Sequence, residues 1–437
     1  MSHSLTPLDP WVESLLGVPV TARAIQAHQM GALARTLDRA MANSPFYRDH
    51  LAGMAPPSSL DDLAAFPLLT QENLRNHGDA MLCVSRDDVA RVMTLQSSGT
   101  TGPPKRVWFT RNDLEWTMEF FHHGMVSLVS PGQKVLILLP GSTPDSTGDL
   151  LVRALARMNV AGIVHGLATD PAAALAEAHE HQVDCLVGFP VQLLAMARLD
   201  SMGKKRLNPR SVLLCSDYAP ASVIQYLERV WNCTALVHWG STESGLGGGV
   251  ECWAQSGSHL RQADLIMEII DPVTLESLPG GHWGEMVITT PKREAMPLIR
   301  YRTGDLGRLL PGTCPCGSAL ARLDRVQGRL DQSHGLKNGR ELRLSHLDEA
   351  LFGLEPVMDY AARLLPGGSA DRLGILLAAA PGTEKELAGM VLEQLRSLSR
   401  LGDTDQGPGP VLEIEVKAWR GKLFFPGKRT LTDERVR

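Results

Sequence analysis

Two sets of residues in this chain have types and spacing that could do chemistry. The first is the run Ser97, Ser98, Gly99, Thr100, Thr101, Gly102, Pro103, Pro104 and Lys105. Glycine adopts positive φ freely, so such a loop can turn several backbone N–H groups and hydroxyls toward one anion. Lys105 adds a mobile point charge for a phosphate. No helix-opening Gly-Lys-Ser/Thr is present, which rules out the Walker pattern, and taken alone a glycine-rich loop serves equally well as a solvated turn. The second set is metal-like. Cys314 and Cys316 flank one proline, and Cys252 and His259 lie upstream with six residues between them. A tight bend at Pro315 and Gly317 lets the two thiolates share an ion, and the upstream pair would complete a closed, structural Cys3His zinc site. The alternative is buried thiols beside a surface histidine, although Cys-x-Cys-Gly seldom arises for packing.

The elements that must position these residues follow from hydrophobic periodicity. Short apolar, β-branched runs at 92–95 and 107–109 read as strands on either side of the glycine-rich loop. Residues 21–52 have helical spacing broken at Pro45, and 59–75 read as two helices around a proline turn, the second capped by Thr70. Leu114, Met118, Phe121, Met125 and Leu128 predict an amphipathic helix over 111–129. Apolar runs at 134–139, 160–164, 185–188 and 212–215 alternate with helical segments at 148–158, 190–199 and 220–231. That alternation predicts βαβ units and a parallel sheet, with ligands beyond the carboxyl ends of its strands. Beyond residue 331 the pattern fits a small α/β unit. It has helices at 342–352 and 384–401, strands at 361–365, 373–379 and 412–416, and a polar loop at 403–410.

Composition narrows the class. The chain has 437 residues, 43% hydrophobic and 21% charged, with a net charge of −5. Those proportions describe an ordinary soluble globular enzyme with no electrostatic footprint for nucleic acid or an anionic membrane. No basic segment followed by an apolar one opens the sequence and no run is long enough to span a bilayer, so a cytoplasmic protein is expected. Seven cysteines, an odd number, argue against a disulfide framework.

Three further phrases carry a family resemblance: Val237-His238-Trp239-Gly240-Ser241-Thr242-Glu243, Tyr301-Arg302-Thr303-Gly304-Asp305-Leu306, and Gly328-Arg329-Leu330-Asp331. Together with the glycine-rich loop they resemble the adenylate-forming superfamily of acyl-CoA synthetases, most closely its phenylacetate–CoA ligase branch. The resemblance implies an α/β fold in which a large N-terminal domain (1–328), built on parallel-strand sheets flanked by helices, precedes a small mobile C-terminal α/β domain (329–437) hinged near Asp331. It implies that the loop holds the β- and γ-phosphates of ATP, that Ser216, Asp217 and Tyr218 border adenine with Trp239, and that Thr242 bonds the α-phosphate beside Gly240 and Ser241. Glu243 would help hold Mg2+, as a hard cation needs carboxylate oxygen, and Asp305 would accept both ribose hydroxyls. Arg329 would contact the nucleotide. Zinc is bound at positions like Cys252, His259, Cys314 and Cys316 in part of the branch. Lys428, with Lys422 as rival, resembles the terminal lysine that neutralises the substrate carboxylate and the α-phosphate.

The activity so implied is AMP-forming ligation of a carboxylic acid to CoA, with aryl or arylacetic acids favoured by analogy. Transfer to a carrier protein, adenylylation of a small molecule, and an inactive nucleotide-binding relative are the alternatives, and a homodimer is left open. Trp239 stands where tyrosine is usual, and the segment after Asp331 departs from the branch's pattern.

Overall fold

Thr21 accepts a hydrogen bond from the Ala24 N–H and so opens the helix Ala22–Asn43. Pro45, which has no N–H to donate, then begins the next helix, Pro45–His50, under a Ser44 cap. Polar caps of the same kind open the helices after Thr70, Thr110 and Asp170 in the computed structural model, which describes residues 6, 8–95 and 104–435. Two compact units emerge. One comprises residues 1–131, 141–160 and 236–326, the other 132–140, 161–235 and 327–437.

The first unit is organised by antiparallel pairing. Strands Val89–Leu95 and Lys105–Thr110 form a hairpin whose last rung opposes Leu95 to Lys105. Thr110 then caps the helix Arg111–Met125, accepting from the Asp113 N–H while the Asp113 carboxylate accepts from the Thr110 N–H. Ile266–Ile270, Gly284–Thr289 and Tyr301–Gly307 make a three-stranded antiparallel sheet. The end of Thr234–Trp239 pairs with Gly249–Glu251, which continues through Ser258–Leu260 to Arg322–Leu323 and Leu309–Leu310. Connections this short leave no room for a crossover helix, which is why these strands alternate in direction.

In the second unit the expected parallel sheet is present, in the order Ser211–Leu214, Cys185–Gly188, Lys134–Ile137, Ala161–Val164. Cys185–Gly188 and Ser211–Leu214 are buried along their whole length, as strands covered on both faces must be. Helices Pro171–His181 and Pro190–Met202 connect three of them, and Ala221–Trp231 leads on from Ser211–Leu214 to Thr234–Trp239. The C-terminal part is a four-stranded sheet, Val411–Ala418, Arg372–Ala379, Val357–Leu365, Thr432–Asp433, with helices Leu344–Leu351 and Glu384–Arg396. Among the described residues no helix is long and apolar enough to cross a membrane.

Candidate functional site

The hairpin and the strand-to-turn segment after Trp239 bring together residues that lie 138 positions apart. Lys105 Nζ donates to Glu243 Oε1 at 2.7 Å, and both side chains are 9% exposed. The Tyr301 hydroxyl donates to the same oxygen at 3.1 Å. Burial pushes the Glu243 carboxyl up, but the Lys105 charge and these hydrogen bonds outweigh it and hold the group below the ordinary glutamate value. An ionised carboxylate is therefore kept in a dry place. The turn that presents it is laced by Ser241 and Ser244, each accepting the other's backbone N–H at 2.9 to 3.1 Å, and Thr242 stands half-buried at its start. Arg293, buried over the Phe109 ring, donates to the Glu243 carbonyl at 2.7 Å.

Asp305 reaches its place through a defect in the sheet. Between the rungs Val287↔Arg302 and Glu285↔Leu306, the strand Tyr301–Gly307 spends four positions where its partner spends two. Gly304, at φ +76°, makes this bulge possible, since a side chain there would be strained. The bulge is pinned by Thr303 Oγ1 donating to the Met286 carbonyl (2.8 Å), the Asp305 N–H donating to Thr303 Oγ1 (3.0 Å), and Glu285 receiving Gly304 N–H (3.1 Å) and the Arg302 guanidinium (2.6 Å). Asp305 is thereby held half-buried on the strand that also carries Tyr301.

The glycine run after Glu243 serves close packing. A Cβ on Gly247 would lie 2.4 Å from the Phe120 ring and one on Gly248 would lie 2.1 Å from the Trp239 ring, so both aromatic rings rest on bare backbone. A Cβ on Gly240 would lie 2.8 Å from the Leu246 carbonyl oxygen and the Gly247 Cα. Trp239 is buried by this contact.

The four metal-like residues meet. Cys252, His259, Cys314 and Cys316 are all buried and their ligand atoms lie within 4.8 Å of one another. Cys252 Sγ is 3.7 Å from Cys314 Sγ, and Cys316 Sγ is 3.5 Å from His259 Nε2. A tetrahedral ion with bonds of about 2.3 Å to sulfur and about 2.05 Å to nitrogen would space those atoms by about 3.8 and 3.6 Å, so the cluster has the dimensions of a zinc site. Gly317, at φ +89°, closes the bend after Cys316. Without an ion, burial pushes the Cys252 thiol up to about 12 and His259 down to about 4.

In the second unit, Ser216 takes a left-handed conformation (φ +70°) just after the strand Ser211–Leu214. Asp217 Oδ2 accepts the Arg429 N–H at 3.2 Å and its Oδ1 the Tyr218 N–H at 2.9 Å. Desolvation, with the Asp348 charge added, pushes its carboxyl up to about 6 against the pull of Arg429 and Lys428. The Tyr218 hydroxyl donates to Glu349 at 2.8 Å. Lys428 is exposed near Asp217, while Lys422 is exposed farther along the same irregular stretch. Arg329 pairs with Asp331 at 3.0 Å. Ser97, Ser98, Gly99, Thr100, Thr101, Gly102 and Pro103 lie outside the described residues. Reading the sequence assigned no role to Arg293 or to the Tyr301 hydroxyl. The tyrosine was visible at the head of its motif, whereas nothing in the sequence marks Arg293.

The sequence pattern of AMP-binding enzymes matches residues 47–296, more than half of the chain, which therefore belongs to that adenylate-forming family. Within the family its place is the phenylacetate–CoA ligase-like branch. The phenylacetate-coenzyme A ligase of Pseudomonas putida is 29% identical over 372 residues, 80% of this chain and 81% of that one. The Escherichia coli (strain K12) enzyme of the same name is 31% identical over 345 residues, 76% and 77% of the two chains. A 2-hydroxyisobutyryl-CoA ligase, solved in its postadenylation state with 2-HIB-AMP, superposes with a TM-score of 0.77 across 94% of this chain and 89% of its own, at 21% identity.

Proposed function

We propose that this chain is an ATP-dependent, AMP-forming carboxylate–CoA ligase working through an acyl-adenylate, with an aryl or arylacetic acid as substrate. The observation that carries the reading is the meeting of Lys105, Glu243 and Tyr301 on one buried carboxylate oxygen. A lysine and a glutamate so placed offer a charge for phosphate oxygens and a carboxylate for a hard cation. In the first half-reaction the acid's carboxylate attacks the α-phosphorus of ATP and pyrophosphate leaves. In the second, the CoA thiol attacks the acyl carbon and AMP leaves.

Lys105 would move from Glu243 to the phosphates as ATP enters, with Ser97 through Gly102 around them. That shift frees Glu243 for Mg2+, which when bound neutralises charge on the phosphates. Thr242 would donate to the α-phosphate and Asp305 would accept from the ribose hydroxyls. Tyr218 and Trp239 would flank adenine, and Arg329 would contact the nucleotide. Lys428 would neutralise the two anions that meet in adenylation. The second domain would begin at 329 and turn about Asp331 between the half-reactions. Zinc on Cys252, His259, Cys314 and Cys316 would be structural, with no open position for chemistry.

The test is a panel of carboxylic acids assayed for ATP-dependent pyrophosphate release, with and without CoA, and mass analysis of the products. An acyl-CoA and AMP are expected from at least one aryl acid. Pyrophosphate release with no CoA adduct would move the acceptor elsewhere, and failure to bind ATP or AMP would end the proposal.

A further inference from the structure

Lys428 is exposed in a stretch without regular secondary structure, so its own backbone does not fix where its ammonium goes. Its neighbour is the opposite case. Arg429 is 5% exposed, and its Nη1 donates to Asp348 Oδ1 at 2.5 Å while Nη2 donates to the Tyr360 carbonyl at 3.1 Å. The guanidinium stacks over the Tyr360 ring at 4.4 Å and the Phe352 ring at 4.7 Å. Asp348 is held in turn by the Tyr360 hydroxyl. On the near side of Lys428 the chain is pinned as well. The Phe424 N–H donates to Asp359 Oδ2 at 2.7 Å, and the Pro426 carbonyl accepts from Gln192 Nε2. Arg429's own N–H completes the arrangement on Asp217.

Three buried or half-buried carboxylates hold this loop, Asp348 through the Arg429 guanidinium and Asp217 and Asp359 through backbone N–H groups, an arrangement that hydrophobic residues of similar size would match in stability without the desolvation cost. What the charged arrangement adds is geometry: a planar fork packed against two adjoining rings and hydrogen-bonded to a carboxylate holds its neighbours in one place.

We propose that Arg429 is a positioning residue for the lysine beside it, holding the 424–429 loop against Asp217, Asp348 and Asp359 so that Lys428 projects at the 216–218 turn in a single arrangement. The proposal rests on the reading of Lys428 as the adenylation lysine. A long, flexible side chain contributes to a transition state in proportion to how little it must search, and displacement by about 1 Å can cost on the order of 100-fold in rate.

Two acid-independent measurements test it. In the unaltered protein, hydrogen exchange at the Phe424 and Arg429 amides should be at least about tenfold slower than at the Asp403 and Asp405 amides of the polar loop at 403–410, as pinned amides require. Reductive methylation of Lys428, followed by mass spectrometry, should be slowed by Mg·ATP. Arg429→Met should abolish that slowing and speed exchange at both amides, and Arg429→Lys, able to keep the Asp348 ion pair, should restore part of each. Equal exchange at 424, 429, 403 and 405 in the unaltered protein overturns the proposal even if Arg429→Met does not fold. So does a folded Arg429→Met with unchanged methylation and exchange. Slow amide exchange with no ATP effect on Lys428 would leave the anchor standing and remove the reading of Lys428 itself.

Discussion

Breaking the Lys105–Glu243 pair from either side and then from both separates its structural cost from its chemical use. At 2.7 Å and an effective dielectric constant of about 20, the attraction is about 6 kcal/mol. Taking two ions from water costs several kcal/mol each, so the intact pair contributes little net stability. Lys105→Met leaves a buried carboxylate with no counter-charge, held by the Tyr301 hydroxyl and its own backbone N–H, and Glu243→Gln leaves a buried ammonium with a neutral acceptor. Each should cost about 3–5 kcal/mol, the usual result of stranding one partner. At about 2–4 °C per kcal/mol for a unit of this size, melting should fall by roughly 6–20 °C. The double variant Lys105→Met/Glu243→Gln strands nothing and should recover most of that loss. Activity should behave differently: on the proposed function, in which both charges serve adenylation, all three variants should fail to release pyrophosphate. Melting by differential scanning calorimetry at pH 7 and a pyrophosphate assay read the two effects separately. Because the Glu243 carboxyl lies below its ordinary value, its contribution is present above about pH 4.3 and is lost as pH falls further. A double variant as unstable as the sum of the singles would refute the buried-pair reasoning.

Other expectations follow from neighbouring features. Burial pushes Asp359 up to about 6, from an unfolded value of about 3.9, so between those pH values the folded chain holds the extra proton. Stability should therefore fall as pH rises through that window, by up to about 1.4 kcal/mol per unit, and Asp359→Asn should flatten the slope in a series of melts. Gly248→Ala would drive a methyl group into the Trp239 ring and should cost about 1–3 kcal/mol by thermal melting. Purified protein should carry one equivalent of zinc by elemental analysis. Removing it with a chelator should lower the melting temperature, and metal-free protein with an unchanged melt would exclude a structural ion.

Lys105 and Glu243, which the structure brings together, could be singled out in the sequence because each sat in a short phrase with its own chemistry. Lys105, Glu243 and Asp305 could be named from the chain, and so could the metal-like quartet, whose spacing leaves few other uses. The parallel strands Cys185–Gly188 and Ser211–Leu214 were legible because burial on both faces writes a continuous apolar run, whereas the edge strand Ala161–Val164 is only partly buried. The antiparallel sheet of 266–307 was not, since its strands mix buried charges such as Glu285 with apolar residues and show no clean alternation. What Asp217 does was hidden for a different reason. Its partners Arg429 and Asp348 lie more than a hundred residues away, and no local pattern signals that a carboxylate will hold a distant loop in place. The Arg429 cluster was illegible on the same grounds, since a basic residue after Gly-Lys reads as surface until its burial is seen.

The irregular rung arrangement around Thr303, Gly304 and Asp305 has a consequence for how this region could change. A regular ladder tolerates substitution and is indifferent to which residue fills a rung, but here the surplus of two residues sets which way the acid points. Deleting a single residue would reverse the facing of everything between Arg302 and Leu306, because neighbouring strand positions project to opposite sides. The chain's sensitivity at this point is to counting rather than to chemistry, and an altered length would do more harm than most altered side chains.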